Sequence, residues 1–108
     1  MDKKIIYEEV LKLEGGVHRK GFEYVVSAIE KLCNNSTLGT IAIYDELAKE
    51  FNDTRSRVER SIRYYITCIF DKGNEKELEK FKMKIGKTGQ PCSTEFLRAI
   101  ALYLKINY

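Results

Sequence analysis

The spacing of the apolar residues is the feature that most constrains the fold of this chain. Apolar residues return every three or four positions along nearly all of its 108 residues, and no convincing stretch of five or more alternates between apolar and polar. A period near 3.6 residues places such side chains on one face of an α-helix, whereas a half-buried strand needs a period of two. The sequence therefore predicts an all-α fold, a single compact domain of about six helices that contains a helix-turn-helix.

Turn-forming residues divide the chain into these helices. The pair Gly15-Gly16 and the pair Gly73-Asn74 are predicted stops, because glycine and asparagine tolerate the backbone that ends a helix. Ser93 or Thr94 is the expected cap of the last helix. The predicted helices cover about 3–13, 21–33, 41–51, 54–72 and 75–81, followed by an exposed loop over 82–91 and a last helix.

Length and composition exclude several classes of protein. A chain of 108 residues can bury one hydrophobic core. It has no run of 18 apolar residues and no long apolar stretch near its first residue, so neither a membrane span nor a signal peptide is expected. These features predict a cytoplasmic protein that has no membrane partner.

Catalytic and metal-binding motifs are also absent from the sequence. Three scattered cysteines and the single His18 do not supply the close ligand pairs of a zinc site. There is no P-loop, no GxSxG motif and no glycine-rich dinucleotide turn. We therefore expect no metal, no cofactor, no catalytic residue and no enzymatic activity.

The segment from about 41 to 72 has the pattern of a helix-turn-helix. Ala48 is small where the second helix would cross the first, and Val58 is branched and apolar ten positions later. Asn52 tolerates the positive φ that the turn needs, and Asp53 or Thr54 can cap the following helix. Many helical hairpins share this pattern, so it does not by itself indicate DNA binding. The residues on the outer face of the second helix are therefore considered next.

That outer face is rich in arginine. At about 100° per residue, the core positions of the fourth helix lie opposite an outward stripe, with further polar residues on its flanks. Arginine offers a donor fork that matches guanine or phosphate, and glutamate can accept from cytosine. The pattern favours DNA binding, although a solvated face in which Glu59 pairs with Arg55 or Arg63 is the alternative. The outward stripe consists of Ser56, Arg60, Arg63 and Thr67, flanked by Arg57, Glu59 and Tyr64.

Net charge differs between the two halves of the chain. Residues 1–50 carry seven basic and nine acidic side chains, whereas residues 51–108 carry twelve and seven. A basic half is typical of proteins that meet a polyanion. Lys82, Lys84 and Lys87 form a second basic patch, which either contacts phosphate or is an ordinary solvated loop.

The run 54–63, Thr-Arg-Ser-Arg-Val-Glu-Arg-Ser-Ile-Arg, resembles the recognition helix of the stage zero sporulation protein A family. The likeness to the DNA-binding effector domain of these response regulators extends through 16–24, 73–74 and 94–97. It implies a sporulation transcription regulator that reads a short TGTCGAA-like box in the major groove with helix 54–72. It also implies tandem boxes that would place two copies side by side as a homodimer, and contact with the polymerase sigma subunit.

The resemblance also implies which side chains meet the double-stranded DNA. Base edges would be read by Arg57, Glu59, Arg60 and Arg63. The DNA backbone would be contacted by Thr54, Ser56, Tyr64, Lys82, Lys84 and Lys87.

The sequence contains no counterpart of the phosphoacceptor receiver domain that this family carries. The sequence is therefore expected to form one effector domain over 1–108, with no receiver domain. The competing hypothesis is a protein-interaction module that docks a sigma factor or a full-length regulator without itself binding DNA. The outward charge of the fourth helix favours DNA over that alternative.

Overall fold

Six helices form the part of the chain that a computed structural model describes, residues 2–16, 19–81 and 90–108. Within those ranges there is no β-strand, so the all-α prediction is confirmed. The helix bounds lie within two residues of the predicted ones. The helices are α1 (Lys3–Leu11), α2 (Arg19–Asn34), α3 (Thr40–Glu50), α4 (Arg55–Lys72), α5 (Glu75–Lys80) and α6 (Ser93–Asn107).

Two further findings concern the described residues only. None of their helices is both long and apolar enough to cross a membrane. They contain no group of three or more His, Cys, Asp or Glu side chains that could hold a metal ion. His18 and the predicted patch of Lys82, Lys84 and Lys87 lie outside the described residues, as does most of the predicted loop.

Helix α2 lies at the centre of the core. It packs against α1, α3, α4 and α6. Its inner side chains, among them Val25, Ala28 and Ile29, are completely buried. Complete burial of a valine or isoleucine side chain is worth about 1.5–3 kcal/mol, so the burial on α2 holds the other helices in place.

Two of the three glycines at the predicted stops, Gly15 and Gly73, are needed for packing, and the third, Gly16, for its backbone conformation. Gly73 has a φ of −77°, which any residue can adopt. A Cβ atom there would collide with the carbonyl oxygens of Ile69 and Leu13, so a glycine is needed for close approach. Gly15 lies under the ring of Tyr65, so it too is needed for close approach. Gly16 has a φ of 98°, which favours glycine, and Glu14 before the pair has a φ of 55°.

The predicted cap of α6 is wrong. Ser93 is already the first residue of the helix, and Cys92 occupies the cap position without a side-chain hydrogen bond. The hydroxyl groups of Ser93 and Thr94 instead form hydrogen bonds with the Tyr44 hydroxyl. The Thr94 hydroxyl also lies 2.9 Å from that of Thr40. Both candidates therefore tie α6 to α3, a tertiary role that overrides their capping preference.

Glu9 is a buried carboxylate that joins α1, α5 and the C-terminus. Only 4% of the residue is exposed. It accepts hydrogen bonds from the Tyr108 hydroxyl at 2.8 Å and from Lys80 Nζ at 3.2 Å. Burial on its own would raise the pKa of Glu9, but these two hydrogen bonds and the charges of Lys80 and Lys12 outweigh it and lower the pKa.

We expect Glu9 to make the protein sensitive to acid. Because its pKa is lowered in the folded state, its stabilisation is present above the ordinary pKa of 4.5 and is lost as the pH falls through the folded-state value. Melting temperatures measured between about pH 3 and 7 should fall less for Glu9→Gln than for the unmodified protein, relative to their neutral values. Parallel curves would show that Glu9 does not carry the acid sensitivity.

Candidate nucleic-acid interface

The turn between α3 and α4 has the geometry that its sequence predicts. Asn52 has a φ of 52°, the left-handed conformation that an asparagine tolerates. The N–H of Asp53 donates to the carbonyl of Ala48 at 2.9 Å, which closes the end of α3 in the manner of a Schellman motif. The turn therefore takes four residues, 51–54, and α4 begins directly afterwards.

Thr54 caps the N-terminus of α4. Its side-chain oxygen accepts from the backbone N–H of Arg57 at 3.2 Å, and its backbone is extended. No acidic residue lies in the first turn of this helix, whereas Arg55 and Arg57 do. Basic residues oppose the helix dipole at this end by about 0.3–1 kcal/mol each. An anion bound near this end would remove that penalty.

The inner face of α4 packs into the core as predicted. Val58, Ile62 and Ile69 are completely buried, and Tyr65 is 1% exposed. They belong to the same hydrophobic cluster as Leu47 of α3. Ala48 of α3 is partly buried and packs against this cluster. This packing determines which side of α4 faces outward.

A hydrogen bond from the core holds the turn in place. The hydroxyl of Tyr24, a residue that is 1% exposed, donates to Asp53 Oδ2 at 2.6 Å. Asp53 Oδ1 accepts from the N–H of Thr54 at 2.8 Å, so the carboxylate bridges α2 and the start of α4. The bond from Tyr24 is the main reason that the pKa of Asp53 is lowered, while burial above all raises the pKa of Tyr24 to about 12.

Tyr24 did not stand out in the sequence. At 100° per residue it falls on the polar side of α2, close to Lys31 and opposite Ile29, which predicts an exposed side chain. Its hydrogen-bond partner lies 29 residues away in sequence. The only signal was the aspartate itself, which was expected to act as a cap. A buried tyrosine usually finds a hydrogen-bond partner for its hydroxyl, and that rule would have prompted a search for one.

Removing the hydroxyl of Tyr24 should loosen the turn. We expect Tyr24→Phe to lower the melting temperature by several degrees, because it keeps the ring but deletes a hydrogen bond to a charged group. Helix content measured by circular dichroism should not change. Tyr103→Phe is the matched control, since its hydroxyl makes no hydrogen bond within the described part of the chain. Equal melting temperatures for the two variants would contradict this role.

The outward stripe of α4 is on the surface, as predicted. Ser56, Arg60, Arg63 and Thr67 are all exposed and lie opposite the buried residues. On the flanks, Arg57 is exposed, Tyr64 is 54% exposed and Glu59 is half-buried. All the predicted contact residues that the structure describes therefore occur together on α4 or at its cap.

Three of the four arginines have an acidic neighbour within the protein. Arg63 Nη1 lies 3.0 Å from Glu59 Oε1. Arg55 Nε lies 3.5 Å from Asp45 Oδ1, and Arg57 Nη1 lies 4.0 Å from Asp53 Oδ1. Among the described residues Arg60 has no such partner. The alternative pairing of Glu59 with Arg63 is therefore present.

These pairs do not prevent the arginines from meeting a ligand. The side chains of Arg55, Arg57 and Arg63 are 54%, 72% and 60% exposed. Exposed ion pairs of this kind are worth about 0–1 kcal/mol, so a phosphate or a base can replace the carboxylate at small cost. The surface is thus a cluster of four accessible guanidinium groups around the N-terminal half of α4.

A shallow cleft runs along this surface between α3 and α4. Ile41 and Tyr44 form its α3 side, and neither was expected to belong to the interface. Ile41 is 62% exposed and is the only aliphatic side chain among the residues that line the cleft. The α4 side of the cleft consists of Arg55, Ser56, Glu59, Arg60 and Arg63.

A comparison with protein families identifies the family of this chain. The family model described as "Sporulation initiation factor Spo0A C terminal" matches residues 6–104. The matched segment extends from α1 into α6 and therefore contains the turn, the whole of α4 and the cleft.

Proposed function

Because the chain belongs to the family of sporulation initiation factor Spo0A C-terminal domains, which are DNA-binding effector domains, we propose that it regulates transcription by reading a specific DNA sequence through α4. The observation that carries this proposal is the outward face of α4. It presents four accessible arginines on a helix whose opposite side is anchored in the core.

The outward face of α4 suits the major groove. That groove is about 12 Å wide and admits one helix, and its base edges carry a distinct donor and acceptor pattern. Arg57, Arg60 and Arg63 are proposed to donate to guanine, and Glu59 to accept from a cytosine amino group. The proposed target is a TGTCGAA-like box, whose guanines and cytosine offer these partners.

The remaining polar residues are proposed to hold the DNA backbone. Thr54, Ser56 and Tyr64 border the arginines on α4, and their hydroxyl groups can donate to phosphate oxygens. Lys82, Lys84 and Lys87 are proposed to add phosphate contacts that carry no sequence information. Such contacts set the register of α4 on the duplex.

We also propose that the protein acts in the cytoplasm, where a bacterial-type regulator meets its chromosome. Two copies would bind side by side on tandem boxes, and a bound copy would contact the sigma subunit of RNA polymerase. No enzymatic activity is part of this proposal.

The competing proposal is a protein-interaction module that does not itself bind DNA. It is favoured by one observation: Leu102 and Ile106 of α6 are 61% and 73% exposed, which leaves apolar surface for a protein partner. Under this proposal a sigma factor or a full-length regulator would bind α6, and the arginines of α4 would be an ordinary solvated face.

Fluorescence anisotropy on labelled duplexes separates the two proposals. We expect the protein to bind a duplex with one TGTCGAA box at least about tenfold more tightly than a scrambled duplex of equal composition. Affinity for both should fall steeply between about 50 and 200 mM salt, because phosphate contacts release counterions. Equal, weak binding to both duplexes would reject sequence-specific recognition, and binding of the purified sigma subunit would then be measured.

A further inference from the structure

Ile41 is an apolar side chain in an otherwise polar surface. It is the second residue of α3, and 62% of it is exposed. The cleft that it lines is otherwise formed by Tyr44 of α3 and, on the α4 side, by polar and charged residues alone. An exposed isoleucine adds little to folding stability. Its burial by a bound ligand would be favourable.

The geometry of α3 places Ile41 at the edge of the proposed DNA surface. Residues four apart lie on the same face of a helix, so Ile41 and Asp45 share one face. Asp45 lies 3.5 Å from Arg55 at the start of α4. The face of α3 that carries Ile41 therefore borders the N-terminal end of α4, where the arginines are concentrated.

The chemistry of the cleft restricts what can cover Ile41. Arginines on the opposite side favour an anionic partner, whereas Ile41 itself needs an apolar group. The major groove of DNA offers both within a few ångströms, because phosphates border base edges and thymine carries a 5-methyl group. A protein partner would have to seat an apolar side chain among arginines, and the adjoining Ala42 adds too little apolar surface for it.

We propose that Ile41 packs against the 5-methyl group of a thymine in the bound site, so that α3 as well as α4 contributes to base specificity. This inference rests on the proposed function, since it requires α4 to lie in the major groove. The contact would make the protein prefer thymine at one position of the box. Hydrogen bonds from the arginines alone would not produce that preference.

Deoxyuridine tests the contact directly, because it pairs like thymidine and lacks only the methyl group. Each thymine of both strands of the box is replaced in turn, and binding is measured by anisotropy. We expect one replacement to weaken binding by about fourfold, the effect of exposing one methyl-sized group. The other replacements should have smaller effects.

A variant at Ile41 completes the test. Ile41→Ala should bind the unmodified box less tightly and should lose its response to that one deoxyuridine. Leu102→Ala is the matched control, because Leu102 is equally exposed and does not line the cleft. It should keep the full response. Ile41→Val, which removes only one methyl group, should retain part of it, and melting temperatures establish that all three variants are folded.

The outcomes separate this inference from the proposed function. If the protein prefers the box but no deoxyuridine weakens binding, the thymine contact is wrong and the function stands. The same conclusion follows if Ile41→Ala retains the response of the unmodified protein. If the protein shows no preference for the box at all, the proposed function fails, and this inference fails with it.

Discussion

Replacing Arg57 by alanine is expected to weaken binding to the preferred box by about 1–3 kcal/mol, or roughly five- to 150-fold, and to relax base preference at one position. Arg57 lies in the first turn of α4, and its side chain is 72% exposed. In the proposed complex its fork donates two hydrogen bonds to one guanine, which no water molecule replaces with the same geometry. The measurement is anisotropy on a panel of boxes that differ by single base pairs.

Two variants show whether an effect at Arg57 comes from base reading. Lys105→Ala removes the same charge from α6, away from the cleft, and should lower affinity slightly and equally for all sequences. Arg57→Lys keeps the charge without the fork, so it should lose most of the specificity. If Arg57→Ala binds the preferred box as tightly as the unmodified protein, the assignment of Arg57 as a base reader is wrong.

The largest expected effect on stability comes from Gly73. Its φ of −77° suits alanine, so backbone strain is not the issue. A Cβ atom would overlap the carbonyl oxygens of Ile69 and Leu13, and neither backbone group has another rotamer to adopt. The neighbouring N–H of Asn74 donates to Leu13 at 3.0 Å, and this bond would be displaced too. We expect Gly73→Ala to reduce the free energy of unfolding by about 2–3 kcal/mol.

Gly39→Ala is the same chemical change in open space. No atom lies within 4 Å of a Cβ built at Gly39, which caps α3 with a φ of −76°. Alanine is a poorer cap than glycine but lowers the entropy of the unfolded chain, so the two effects oppose and the change should stay below about 1 kcal/mol. Denaturant unfolding of both variants measures the difference. Similar losses at both sites would show that the carbonyl contacts at Gly73 do not matter.

Features that depend on neighbours in sequence were predictable. The helices, the positive φ of Asn52 and the cap at Thr54 follow from side-chain preferences that operate within a few residues. The outward position of Arg60 and Arg63 follows from helical spacing once Val58 and Ile62 are assigned to the core. This is why the site on α4 could be proposed before its structure was known.

Features that depend on distant contacts were not predictable. The hydrogen bond between Tyr24 and Asp53, the use of Ser93 by Tyr44 and the need for glycine at position 73 all depend on helices that are distant in sequence. Ile41 was missed for the same reason, because the sequence places it at the start of a helix but not beside Arg55. Local propensity predicted the helices correctly, but tertiary contacts overrode it where two segments meet, as at the cap of α6.

In the proposed complex, the ion pair between Glu59 and Arg63 would affect how long the protein remains on DNA of the wrong sequence. On such DNA Arg63 would exchange the carboxylate 3.0 Å away for a phosphate, and the net gain in binding free energy would be small. At the matching box Glu59 would accept a hydrogen bond from a cytosine while Arg63 donates to a guanine, so both side chains would gain partners at once. Dissociation from random sequence would then be fast and dissociation from the box slow. The protein would scan many sites in the time that a more basic helix would spend on a few.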